Sequence, residues 1–171
     1  QGDGKFTEVA AQSGVAYGVQ GEATAAMAAA IGDIDNDGKP DMHLSDSRYG
    51  SHFHNVGGGM FVDRVVAAGI AAPSGHWASW GGGFLDFDLD GMLDLYVVDG
   101  DLHRATGRPD MLFRGAGDTT FEDVSADAGG WFRAERMGRG ATLADLDSDG
   151  RMDVIVCHIH DAPAILRGKA P

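Results

Sequence analysis

Three nine-residue segments space their carboxylates as a hard divalent cation requires. They read DIDNDGKPD from Asp33, DFDLDGMLD from Asp86 and DLDSDGRMD from Asp145. Calcium takes six to eight oxygen ligands at about 2.3–2.6 Å. Aspartates at positions 1, 3, 5 and 9 of one loop can wrap such an ion. Glycine at position 6 permits the sharp turn, and the main-chain carbonyl of position 7 adds an oxygen. The expected ligands are Asp33, Asp35, Asp37, the Lys39 carbonyl and Asp41 in the first loop. In the second they are Asp86, Asp88, Asp90, the Met92 carbonyl and Asp94. In the third they are Asp145, Asp147, Asp149, the Arg151 carbonyl and Asp153.

Four carboxylates in one loop repel one another unless a cation sits among them. The expected cofactor is therefore Ca²⁺, about three ions with one per loop, which would take the net charge from −13 to −7. Magnesium suits the loops less, because it demands tight octahedral geometry and keeps its waters. Aspartate and glycine also favour plain turns, but three loops in register are hard to explain as turns alone. An EF-hand needs a bidentate glutamate at position 12, where this chain has Leu44, Val97 and Val156. The thrombospondin-type calcium repeat needs cysteines, and Cys157 is the only one.

The loops sit in a repeat. They begin 53 and 59 residues apart. A second marker recurs beside them as FTEVAAQSG from Phe6, FVDRVVAAG from Phe61 and FEDVSADAG from Phe121, spaced by 55 and 60 residues. Each marker has an acid two residues after Phe and a glycine eight residues after it. Matching periods predict three repeats, with boundaries at 1–57, 58–117 and 118–171.

Each repeat reads as short strands. Met27–Ile31, Gly83–Leu85 and Ala141–Ala144 precede the loops, while Leu93–Val98 and Met152–Ile159 follow the second and third. A third run covers Ser51–His54, Met111–Arg114 and Ala164–Arg167, and the Phe segments supply a fourth. Four antiparallel strands in about 55 residues make one blade of a propeller, so the expected class is all-β with propeller-like blades. Glu22–Ala30 conflicts locally, because alanine prefers helix. Its end is still expected to be a strand, since the matching stretches in the other repeats are glycine-rich.

Composition narrows the function. At 171 residues the chain can bury a sizeable core. Acids outnumber bases 26 to 13, which argues against nucleic acid or an anionic membrane surface as partner. Twelve of those acids lie in the three loops, so the charge reads as cation sites rather than general solubility. No apolar run reaches the ~20 residues of a membrane span. Cys157 alone excludes an internal disulfide framework and does not decide the compartment.

The motif order resembles the FG-GAP/VCBS repeats of integrin-α-type β-propellers. More narrowly, it resembles the cartilage acidic protein group, whose propeller often precedes an ASPIC/UnbV domain. The segments that carry this are Trp80–Gly91, LDLYVVDG from Leu93, RPDMLFRGAGDTTFEDVSADAG from Arg108, GRGATLADLDSDGRMDVIV from Gly138 and DAPAILRG from Asp161. The resemblance implies about seven blades, with calcium loops joining the first two strands of each. Three repeats do not close such a ring. The opening Gln1–Gly4 reads as a processed or truncated start, and GDGKF as the tail of a preceding blade's linker. A fragment or an assembling subunit is therefore expected, partnered by other protein chains or by further blades.

Other residues have both a chemical and a plainer role open to them. His158 and His160 fall at strand spacing beside Cys157, and His52 and His54 share that spacing; a transition-metal site is the alternative to ordinary rim histidines. Trp77 and Trp80 read as packing between blades or as an aromatic platform. Gly81–Gly83 lacks the context of a nucleotide-binding loop and reads as close packing of the innermost strand. Arg133, Arg136 and Arg139 form a basic cluster that could dock an acidic neighbour. No catalytic constellation is left once calcium has used the aspartates. The expected function is a non-catalytic, extracellular or periplasmic calcium-binding module for protein interaction and assembly. The alternatives are an accessory subunit of an enzyme or redox complex, or a surface filament whose chains complete the propeller between them.

Overall fold

The computed structural model describes residues 4–75, 77–101 and 106–169. Residues 1–3 and 170–171, the outer ends of the opening and closing segments, lie outside the described residues, as do His76 and 102–105.

The protein is all-β, and the described strands form three antiparallel sheets. The first contains β1 (Ala28–Gly32), β2 (Asp41–Ser45), β3 (Ser51–Gly57) and β4 (Met60–Asp63), in that order. The second contains β5 (Ser79–Leu85), β6 (Asp94–Asp99), β7 (Met111–Gly115) and β8 (Phe121–Asp123). The third contains β9 (Gly138–Ala144), β10 (Asp153–His158) and β11 (Ala164–Leu166). Two short helices, α1 (Ala10–Ser13) and α2 (Ala71–Ser74), and a 3-10 turn at Gly130–Arg133 lie in the connections.

Hydrogen bonding sets the phase of the repeat. Phe61 lies on β4 with the first sheet and Phe121 on β8 with the second. The boundaries at 57/58 and 117/118 thus run between β3 and β4 and between β7 and β8. Phe6, expected as a strand, is instead in irregular chain ahead of α1. A strand needs a neighbour to satisfy its backbone, and no described strand lies beside residues 6–9.

The alanine-rich stretch ends as β1, with Ala28, Ala29 and Ala30 opposite Ser45, Leu44 and His43. Pairing and packing override local helix preference here. The small residues let the inner strands approach closely: a Cβ added to Gly81 would meet Gly140 Cα at 2.9 Å, and one on Gly83 would meet Leu143 Cδ1 at 2.3 Å. Gly81–Gly83 is therefore close packing. β6 is buried along its whole length, as the unbroken apolar run Leu95–Val98 anticipates.

Two apolar clusters fill the spaces between sheets. Ala30, Ile34, Val65, Ala68, Ile70, Leu95, Val97, Met111, Phe113 and Phe121 join the first sheet to the second. Leu85, Tyr96, Val98, Leu112, Val154 and Val156 join the second to the third, with Trp131, Phe132 and Leu166 packed against them. Val65–Ile70 and Val124–Phe132 follow the fourth strands, so each connection acts as a wedge between neighbouring sheets.

Candidate metal centres

Each acidic loop joins the first two strands of its sheet: Asp33–Pro40 lies between β1 and β2, Asp86–Leu93 between β5 and β6, and Asp145–Met152 between β9 and β10. The three loops share one internal scaffold. The position-1 carboxylate accepts two main-chain amides, from positions 5 and 6. These are Asp37 and Gly38 to Asp33 (3.0 and 2.9 Å), Asp90 and Gly91 to Asp86 (3.1 and 3.0 Å), and Asp149 and Gly150 to Asp145 (3.1 and 2.9 Å). The position-5 carboxylate accepts the amide of position 7, from Lys39, Met92 and Arg151 at 2.8–2.9 Å.

Two residues per loop adopt a left-handed backbone. The position-6 glycines have φ of 85–87°, as the turn requires. Position 4 does so too, at Asn36, Leu89 and Ser148, with φ of 57–62°. The sequence pattern does not mark position 4, because only Asn36 is a residue that favours this region.

The scaffold brings Asp33, Asp35 and Asp37 together, and likewise Asp86, Asp88 and Asp90, and Asp145, Asp147 and Asp149. Within each triad one carboxylate oxygen from every residue lies within 4.8 Å of the others. Such a set of hard oxygens fits a hard divalent cation better than a transition metal. The residues fit in a second respect: Asp88 Oδ1 is buried without a hydrogen-bond partner, a costly state that a cation would relieve.

The ninth residue is placed differently. Asp41, Asp94 and Asp153 are buried, and each brackets its loop to the third strand of its sheet. One oxygen accepts the amide of loop position 2, from Ile34 (3.2 Å), Phe87 (2.8 Å) and Leu146 (3.2 Å). The other accepts an amide from the third strand or the residues just after it: Asn55 (2.7 Å), Gly115 (2.9 Å) and Gly168 (3.0 Å). Burial pushes the Asp94 carboxyl up to about 6, against the pull of those two amides and with Asp88 and Asp90 adding to the rise.

Sequence reasoning missed the basic side chains beside the loops. The residue before the bracketing amide is basic in every repeat, at His54, Arg114 and Arg167. Each faces the position-3 aspartate. Arg114 Nε lies 2.9 Å from Asp88 Oδ2, His54 Nδ1 lies 3.9 Å from Asp35 Oδ2, and Arg167 pairs with Asp147. Lys39 and Arg151 pair with Asp37 and Asp149 at position 5. The hydrogen bond from Lys39 holds the Asp37 carboxyl below its usual range; at Asp149 the Arg151 amide does the same, with the guanidinium adding to it. The base stands directly after Phe53, Phe113 or Leu166, and aligning the third strands on their bracketing amides brings the three into register.

The remaining candidates resolve individually. β10 ends at His158, with a register shift at Cys157/His158, and His160 has φ of 61°. The strand spacing that would aim His158 and His160 to one face is therefore broken. His158 instead contacts Trp131, with Nδ1 3.2 Å from the Ala162 carbonyl. On β3, His52 is buried against Phe84 and Phe121, while His54 turns to Asp41. Trp80 packs under Arg139 and donates to the Gly100 carbonyl, and Trp77 lies under Arg108. Arg136 stacks on Trp131 and Arg133 donates to the Ala126 carbonyl, so each arginine of the basic cluster is engaged within the chain.

Four-stranded antiparallel sheets with an acidic loop between the first two strands define a repeat class built from blades. Residues 33–97 and 86–156 each match the FG-GAP-like repeat family, and together they span most of the chain. The chain belongs to the FG-GAP-like repeat family. No curated protein matches it.

Proposed function

We propose that this chain is a non-catalytic β-propeller module that calcium staples, working outside the cytoplasm as a protein-interaction and assembly unit. The observation that carries this reading is the threefold recurrence of one loop scaffold with three converging carboxylates. The ligands would be the aspartates of positions 1, 3 and 5, joined by the position-7 carbonyl and the position-9 carboxylate. Calcium would neutralise the triads and lock each first hairpin onto the buried bracket at Asp41, Asp94 or Asp153. The motif order further supports kinship with the cartilage acidic protein group, and thereby an extracellular or periplasmic setting. No helix among the described residues is long and apolar enough to cross a membrane.

Extracellular calcium sites bind with Kd of about 10⁻⁴–10⁻³ M. At roughly 1 mM calcium and a Kd of about 10⁻⁴ M, each site would stabilise the fold by about 1.4 kcal/mol. Thermal melts in millimolar calcium and in excess EGTA test the reading. Chelation should lower the melting temperature by several degrees. An unchanged melt would refute the calcium staple.

A further inference from the structure

Two residues after each bracketing aspartate, the second strand sets one side chain opposite one of the third strand. The pair is His43 and His52 in the first sheet, Tyr96 and Leu112 in the second, and Ile155 and Ile165 in the third. The Tyr96 hydroxyl meets Asp110 and Trp131, and the isoleucines have no polar atom to satisfy. His43 and His52 are 3% and 0% exposed. Even so, His43 Nδ1 and both ring nitrogens of His52 lack a hydrogen-bond partner. A neutral imidazole carries one donor and one acceptor, and burying them unmet is costly. The first sheet has nothing in the place of Asp110: the residue before its third strand is Gly50.

The surroundings narrow what satisfies such a pair. His52 meets Phe84 and Phe121 edge-on, with ring centroids 6.3 and 5.3 Å away, so its neighbours there are apolar. Imidazole suits zinc and copper. Zinc completes a tetrahedron, but among the described residues the groups of three or more His, Cys, Asp or Glu able to share an ion are the loop triads alone. The ring spacing also favours two ligands over four. With metal–nitrogen bonds of about 2.0 Å and ring centres about 1.1 Å behind the nitrogens, tetrahedral ligation sets the centroids about 5.1 Å apart and linear ligation about 6.2 Å. They lie 5.9 Å apart, towards the linear end. Charge points the same way. The cost of burying an ion rises with the square of its charge, so a monovalent ion costs about a quarter of a divalent one. Monovalent copper combines these properties: it bonds neutral imidazoles, accepts two ligands nearly in line and carries one charge.

We propose that His43 and His52 bind one monovalent copper ion, which bridges β2 and β3 inside the core between the first two sheets. The ion takes one unpartnered nitrogen from each ring. Gly50 gives it a way in. A Cβ added there would meet His43 Cε1 at 3.4 Å, and the same glycine lines a pocket of about 240 Å³ with Glu22, Asp46 and Tyr49. The site is separate from the calcium loops.

The test uses the whole chain carrying Cys157→Ser, because that exposed thiol would itself take copper. The protein is loaded without oxygen with one equivalent of Cu(I) in saturating calcium, then challenged with the Cu(I) chelator bathocuproine disulfonate. It should keep one copper per chain, and X-ray absorption should show two nitrogen neighbours with imidazole outer shells. His52→Leu, which copies Leu112 of the second sheet, should lose the copper with strand content unchanged. His43→Leu is the second such variant, and His158→Gln with His160→Gln should keep the ion. Surrender of all copper to the chelator, equal retention by both leucine variants, or a four-coordinate spectrum would overturn the proposal. So would one zinc per chain, held in place of copper and lost in both leucine variants. A parallel loading in EGTA should retain the same copper, so failure of the calcium staple would leave this site standing.

Discussion

The Gly115 amide donates to Asp94 Oδ1 at 2.9 Å, tying the end of β7 to the residue that closes the second acidic loop. The other oxygen of Asp94 holds the Phe87 amide at 2.8 Å. This buried carboxylate therefore braces the sheet whether or not a cation is bound, whereas Asp90 at the exposed end of the loop does not. Asp94→Ala should destabilise the protein by roughly 2–4 kcal/mol in EGTA, by leaving two amides unpaired. Asp90→Ala should change the EGTA melt little and remove one third of the calcium-induced shift. Denaturant unfolding of both variants, with and without calcium, separates the two roles.

Leu89 holds a left-handed backbone, φ 62°, at the position that Asn36 and Ser148 occupy in the other loops. A side chain with a γ-branch is strained there, and Leu89 is half exposed, so its burial offsets little of that strain. Leu89→Asn should stabilise the chain by about 0.5–1 kcal/mol. Urea melts measure it, and an equal loss instead of a gain would show that Leu89 packs usefully.

How much of this was legible beforehand differs by residue. The loops and the strands after them were readable, because aspartate spacing and the Leu95–Val98 run are local signals. The role of Asp94 was not, since its bracket reaches the Gly115 amide 21 residues along the chain. Arg114 and Arg167 were hidden for the same reason: their meaning lies in which aspartate they face. The phase of the repeat is not legible from the Phe segments alone. The Phe marker is easy to see, but only pairing shows that it closes the preceding sheet rather than opening the next.

Asp99 is buried in β6 with Ser79 Oγ as a hydrogen-bond donor at 2.8 Å. Burial pushes its carboxyl up to about 7, with Asp110 adding to the rise. The folded pKa lies above the unfolded value, so the native state binds the extra proton. Stability therefore falls as pH rises from about 4 to about 7. Asp99→Asn keeps the acceptor for Ser79 and should raise stability by roughly 1–2 kcal/mol at pH 8 and hardly at pH 4. Melting temperatures across that range check it.

The buried imidazoles act in the opposite direction. His43 and His52 face each other across β2 and β3, with ring centroids 5.9 Å apart. Burial pushes His43 down to about 4 and His52 to about 3. Here the unfolded chain binds the extra protons, so their contribution is complete above about pH 6.5 and is lost as the pH falls toward 3–4. His52→Leu, which copies Leu112 of the second sheet, should flatten this acid loss by at least about 1 kcal/mol at pH 4.5. Parallel pH titrations of stability in the two proteins provide the comparison.

Isothermal titration of the metal-free chain counts the calcium ions that the loops take. Three calcium ions should bind per chain, with magnesium binding far more weakly. Two ions should remain after Asp86→Ala combined with Asp88→Ala, in a protein whose strand content is unchanged. Saturation at fewer than three ions in the unaltered chain, or an unchanged stoichiometry in that variant, would contradict one calcium site per loop.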